Sequence, residues 1–239
     1  MHDLRWTMPV ARWSATAAAV AADINFIEPI VRRRLSSLSR IALKVAHDCV
    51  AERDHVRVVF ASRHGELRRT TDILRAISAG EPVSPTAFSL SVLNAMTGIF
   101  GIARGDRSPA SAISAGAETL GYALLEAHAQ FAADPSSPVL VVYADEQADA
   151  AYGTIEDEVQ GGALAILLDA RAAAGRLACT ISRTEGRSDT PAPTLAPAPA
   201  HDNFRTQSEA VQRCLDTQTP AAWQNAGTTW QWSWHESTT

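Results

Sequence analysis

Three short apolar runs limit what this chain can fold into more than any other feature. Val56 to Ala61 is almost continuously apolar and rich in β-branched side chains. Val139 to Tyr143 and Ala163 to Asp169 repeat the pattern. Runs of this length without polar alternation are buried on both faces, as the strands of a parallel sheet are. The segments around and between them have helical spacing. Phe26 to Glu52 places Ile30, Leu35, Leu38, Ala42, Val45 and Cys49 on one side, with Pro29 suited to a first turn. Thr70 to Ala79 is closed by Gly80, with Pro82 and Pro85 beyond it. Asn94 to Ala103 is a further helix, and Glu118 to Ala132 carries Leu120, Leu124, Ala127 and Phe131 on one face. The alternation predicts βαβ units: an α/β domain with a mixed, mostly parallel sheet flanked by helices.

Composition fits one soluble body. A chain of 239 residues, 46% of them hydrophobic, can bury one sizeable core. Its 26 acidic residues outnumber 21 Lys and Arg, a net charge of -5, which disfavours nucleic acid as a partner. Cys49, Cys179 and Cys214 are too scattered for a disulfide framework or a zinc knuckle and read as reduced thiols of a cytoplasmic protein. No run has the roughly 18 apolar residues of a membrane span. Ala15 to Ala22 is an alanine-rich helix or loop, too weakly hydrophobic for a good signal peptide.

The chain divides into a main domain, residues 1–183, a proline- and alanine-rich connection, 184–205, and a tail, 206–239, expected to pack back on the domain. The first residues show at most a short strand at Leu4 to Thr7. Leu177 to Ser182 reads as the last strand of the main domain, and Gln207 to Asp216 as a short helix. Trp230, Trp232 and Trp234 alternate with polar residues, so a strand presents them on one face, either to the core or to a partner. Arg32-Arg33-Arg34 is a solvated face or a dock for an acidic partner.

Two motifs bear on chemistry. Val58 to Ala61 leads into Ser62-Arg63-His64-Gly65-Glu66, which resembles the phosphohistidine motif of histidine phosphatases and implies phosphoryl hydrolysis, with His64 as nucleophile and Arg63 as clamp. The second histidine that such chemistry needs has no counterpart after the later strand, where Ala144-Asp145-Glu146 stands instead. The acidic group Asp145, Glu146, Glu156, Asp157 and Glu158 has no histidine near it and reads as solvated surface, so no metal or other cofactor is expected.

The second motif, Ile113-Ser114-Ala115-Gly116-Ala117-Glu118 before a helix, resembles the strand, turn and helix that present the nucleophilic cysteine of β-ketoacyl synthases. Ser84-Pro85-Thr86-Ala87-Phe88-Ser89-Leu90-Ser91-Val92-Leu93-Asn94-Ala95, Val139 to Glu146 and Gly161 to Asp169 are similar to further ketosynthase segments in the same order. The resemblance implies a thiolase-like half-fold and puts the nucleophile position on Ala117. A methyl group cannot attack a thioester, so no catalytic residue is expected there. The 70 residues after Asp169 hold only His201 and His235, and neither stands in the setting of a ketosynthase histidine. The chain therefore resembles a truncated, non-catalytic relative, a chain-length factor, of the kind found with aryl polyene pathways.

That resemblance implies a heterodimer with an active ketosynthase in type II fatty-acid or polyketide biosynthesis, served by an acyl carrier protein. It places the interface along Ser108, Ala110, Ser111, Ala112, Ile113 and Ser114. Asn94, Met96, Thr97, Ile99 and Phe100 are expected to line the acyl tunnel. Glu118 is either a carboxylate favoured by the helix start or a side chain filling the acyl space.

Overall fold

The computed structural model describes residues 3–18, 22–50, 53–155, 161–183 and 204–236. Its strands are β1 (Leu4–Thr16), β2 (Arg57–Ala61), β3 (Ala110–Ile113), β4 (Val139–Asp145), β5 (Gly162–Leu168), β6 (Gly175–Arg183), β7 (Ala221–Asn225) and β8 (Thr228–Glu236). They form one eight-stranded sheet in the order β3-β2-β4-β5-β1-β6-β8-β7. The helices are α1 (Pro29–Arg32), α2 (Ser37–Val50), α3 (Leu67–Ser78), α4 (Pro85–Ser89), α5 (Ala95–Arg104), α6 (Thr119–Ala133) and α7 (Gln207–Thr217).

The sheet is mixed and flanked by helices, but its pairings are mostly antiparallel, which corrects the expected balance. Only β2 with β3 and β2 with β4 run parallel. The pairs β1–β5, β1–β6, β4–β5, β6–β8 and β7–β8 are antiparallel. The reason lies in the connections. A parallel neighbour needs a helical crossover: β2 reaches β3 through α3 to α5 and β4 through these and α6, whereas the neighbours β4 and β5 are joined with no full helix among the described residues and β7 and β8 by a tight turn.

Two more expectations change. The first strand is 13 residues long rather than four. Its first half pairs with β6 and its second half with β5, with a register shift between Val10 and Arg12. Pro9, which has no N–H to offer, lies just past the end of the β5 ladder. The long helix expected from Phe26 is broken into α1 and α2, because the Ser36 hydroxyl accepts the Ser39 N–H at 3.0 Å and starts a new helix. Glu52, its expected end, lies outside the described residues, as do 184–203, most of the expected connection.

One face of the sheet is covered by α2 and α5, packed on Val58, Phe60, Leu140, Val142, Ala165 and Leu167. The other is covered by α6 and α7, packed on Val59, Val141, Ile166 and the tryptophan strand. The tail is part of this sheet. Thr206 caps α7 by accepting the Glu209 N–H at 3.3 Å, while Glu209 accepts the Arg205 N–H at 2.9 Å. Next, β7 and β8 turn through Ala226 and Gly227, both at positive φ, a hairpin geometry matched to strand twist.

Trp230, Trp232 and Trp234 all face the core, at 0%, 1% and 8% exposure. Trp230 stacks on Trp232 at 6.3 Å and meets Trp6 edge-on at 6.1 Å. Rings of this size approach a helix only where the helix has no side chain. A Cβ on Gly121 of α6 would lie 2.5 Å from the Trp230 ring, and one on Gly175 would lie 2.2 Å from Trp234. Gly121→Ala should therefore overpack the core, with a stability loss of about 1–3 kcal/mol and a Tm lowered by several degrees. A thermal melt unchanged within error would contradict this packing.

Candidate functional site

The parallel strands β2 and β4 end side by side, and a buried carboxylate joins them there. Asp145, 1% exposed, closes β4. Its Oδ1 accepts the Ser62 hydroxyl at 2.8 Å and the His64 N–H at 3.1 Å, and its Oδ2 accepts the Arg63 N–H at 2.7 Å. The Tyr143 hydroxyl donates to the same carboxylate. Burial pushes the Asp145 carboxyl up, while these donors pull it the other way. Burial likewise pushes the Tyr143 phenol up. The Ser62 hydroxyl also accepts the Gly65 N–H at 2.8 Å, with Gly65 at φ +57°.

The phosphatase-like motif is thus a structural turn. The amides that would cradle a phosphate already hold an aspartate. Its Glu66 accepts Ser36 and Ser39 hydroxyls at 2.6 and 2.7 Å and pairs with Arg69 at 3.2 Å, tying α3 to α2. Of the supposed acidic cluster, Asp145 is occupied in this way and Glu146 accepts the Ser37 hydroxyl at 2.9 Å. Glu156, Asp157 and Glu158 lie outside the described residues.

Beside this turn stands the motif built on Ala117. After β3, Ala115 donates its N–H to the Thr119 hydroxyl at 2.9 Å, and that hydroxyl donates to the Gly116 carbonyl at 2.7 Å. Gly116, at φ +58°, makes the reversal that a β-carbon would strain. Ala117 and Glu118 follow in a short 3-10 turn that runs into α6. The Ser114 hydroxyl reaches the Arg63 carbonyl at 3.0 Å, so the two turns are tied together. Ala117 is partly buried and borders a cavity of about 10 Å³ with Arg63, Leu120, Tyr143, Gln207 and Trp223.

β3 is an edge strand. Its residues pair with β2 on one side, from Val58 with Ala110 to Ala61 with Ile113, and no described strand lies on the other. Ala110 and Ser114 are exposed, and Ser108, Ser111, Ala112 and Ile113 are half-buried. The strand is positioned by Asp106, which accepts the Ser108 N–H and hydroxyl at 2.9 and 2.7 Å and the Val56 N–H at 2.9 Å.

α5 packs on β2 and β3 and on α2, and this divides the expected tunnel residues. Met96 and Phe100, 2% and 1% exposed, are core residues of this chain, and Thr97 is also buried. They face inward, so in the free chain they fill the core rather than lie open to a neighbour. The exposed positions are the N-cap Asn94 and, in α5, Gly98, Ile102 and Ala103, with Ile99 half-buried. Glu118 is half-buried at the start of α6.

The sequence reading missed a set of exposed apolar side chains: Leu74 and Ile77 on α3, Phe88 on α4, Val92 after it, and Ile102 on α5 at 84% exposure. The signal was present in α3, whose apolar stripe has helical spacing although Thr71 is the residue it buries.

The family description "Beta-ketoacyl synthase, N-terminal domain" matches residues 5–233, and the chain belongs to that family. No curated protein matches it. Among solved structures, it is similar to one described as the ketosynthase ApeO in complex with its chain length factor ApeC from Xenorhabdus doucetiae. That match has 24% identity and a TM-score of 0.75 over 95% of this chain and 99% of the other. It also resembles the ishigamide ketosynthase/chain length factor, at 18% identity and TM-score 0.57, over 74% of this chain and 67% of that one. A β-ketoacyl synthase from Burkholderia phymatum STM815 shares 12% identity at TM-score 0.55, over 75% and 59%. These likenesses show the thiolase-like ketosynthase fold. No helix among the described residues is long and apolar enough to cross a membrane.

Acid should loosen the edge strand. Burial alone would raise the Asp106 carboxyl, but the Ser108 hydroxyl and N–H, the Val56 N–H and His55 hold it at about 2, below its ordinary 3.8. A depressed carboxylate contributes stability above its unfolded value and loses it as pH falls through the folded one. Between pH 4 and 2, wild type should lose Tm faster than Asp106→Asn, and equal slopes would show that Asp106 contributes nothing.

Proposed function

We propose that this chain is a non-catalytic chain-length factor that pairs with an active β-ketoacyl synthase in type II fatty-acid or polyketide biosynthesis. The observation that carries the reading is the methyl group of Ala117 at the helix start reached from an edge strand. The fold keeps the turn that presents a nucleophile and carries no nucleophile on it. β3 supplies a row of backbone donors and acceptors to a partner strand through Ser108, Ala110, Ser111, Ala112, Ile113 and Ser114. Ile102, Phe88 and their apolar neighbours supply the area from which affinity comes.

Two of the structures that resemble this chain are described as ketosynthases with a chain length factor, which supports the same pairing here. In this reading the partner holds the acyl chain and receives substrate from an acyl carrier protein. The outward positions of α5, Asn94, Gly98, Ile99 and Ile102, border its tunnel. The Ser84 to Ala95 segment and the turn at Ile113 to Gly116 support an aryl polyene pathway by resemblance.

The isolated chain should neither condense acyl and malonyl thioesters nor gain mass when incubated with an acyl carrier thioester. A stable acyl adduct in the intact mass would overturn the non-catalytic assignment. Ile102→Asp tests the pairing. The side chain is exposed in the free chain, so the melt should stay within about 0.5 kcal/mol of wild type. A carboxylate desolvated at the contact costs several kcal/mol, so capture of the co-expressed ketosynthase should fall about 100-fold or more. Undiminished capture would remove α5 from the interface.

A further inference from the structure

We propose that Gln207 is an internal plug, closing the space over Ala117 and occupying the start of α6 where an oxyanion or thiolate would bind. The proposal rests on the reading of Ala117 as the vacated nucleophile position. Gln207, the first residue of α7, is 3% exposed. Its Oε1 accepts the N–H of Gly121, the third residue of α6, at 2.7 Å. A backbone donor at this position of a helix is left without an intrahelical partner and is what an anion at the helix start would use. Here an amide oxygen brought in from another segment takes it. The Ala115 N–H, nearer the turn, is taken by the Thr119 hydroxyl and the Glu118 N–H by the Ala115 carbonyl, so these two donors beside Ala117 are also committed.

The space left at the other end of the Gln207 side chain is too small for an acyl group. Its Nε2 is buried with no hydrogen-bond partner, beside a cavity of about 10 Å³ lined by Ala117, Leu120, Tyr143 and Trp223. That is room for one water and for no acyl group. The plug also stands on a rigid support. Thr206 caps α7, the Trp223 indole N–H donates to the Arg205 carbonyl at 3.2 Å, and Ala210, Val211, Cys214 and Leu215 are buried in the core. The chain is therefore silent on two counts, lacking a nucleophile and lacking access to its position.

Thiol labelling tests this without a partner or a substrate. Ala117→Cys, alone and combined with Gln207→Ala, is treated with iodoacetamide and the labelled sites are mapped by peptide mass. The resident cysteines give a low background, since Cys49, Cys179 and Cys214 are at most 1% exposed. The introduced thiol should react about 100-fold slower in the native chain than in urea, and Gln207→Ala should speed it at least about 10-fold. Gln207→Met, which keeps the bulk, should leave it slow. Cys214, on α7 itself, should stay protected in all variants.

Native labelling of Ala117→Cys at the urea rate would overturn the plug, as would acceleration by Gln207→Met or acceleration accompanied by Cys214 labelling, which would mean that α7 lifts away as a whole. A double variant no faster than the single would overturn it too. Ketosynthase capture is unaffected by any of these results, so the pairing and the plug fail separately.

Discussion

Asp145 is the joint on which the candidate site depends. Two parallel strands can sit side by side while the loops beyond them go separate ways. Here one buried carboxylate gathers the Ser62-Arg63-His64 turn after β2 onto the end of β4. The Ser114 hydroxyl then fastens the turn after β3 to the same loop. An uncompensated carboxylate at that depth would cost far more than the fold could spare. Two of its donors are the backbone amides of Arg63 and His64, so the loop's path is held through its main chain as well as through the Ser62 hydroxyl.

This explains why the catalytic-looking motifs were hard to read from sequence. Arg63-His64-Gly65-Glu66 has the residue types of a phosphate clamp, but its amides serve Asp145, 81 to 82 positions away. Asp145 itself looked like one member of an acidic surface run. Spacing along a chain cannot reveal a partner brought in by sheet topology. Gln207 was invisible for the same reason: it lies 86 positions from the Gly121 N–H it accepts.

What was legible was local. The apolar runs became β2, β4 and β5, and the period-two tryptophans became a strand with its rings in the core. Helices α3, α5, α6 and α7 fall within a few residues of their expected positions. The long first strand was missed because it changes neighbours at Val10, and its mixture of small, charged and aromatic residues follows no single pattern. The direction of most pairings was missed because the apolar runs are buried on both faces in either orientation. The Ala226-Gly227 hairpin was missed because alanine is an unusual occupant of a left-handed position.

Shortness is the one device by which the four residues of β3 guard this sheet edge against wrong company. Within Ala110–Ile113 there is no lysine, no proline and no acidic side chain. An edge guarded by little more than its shortness is safest where something covers it, which would tie the useful level of this chain to that of whatever supplies the covering strand. Surplus copies would have each other's edges as the nearest substitute, and a stoichiometric imbalance would show first as aggregation of this subunit.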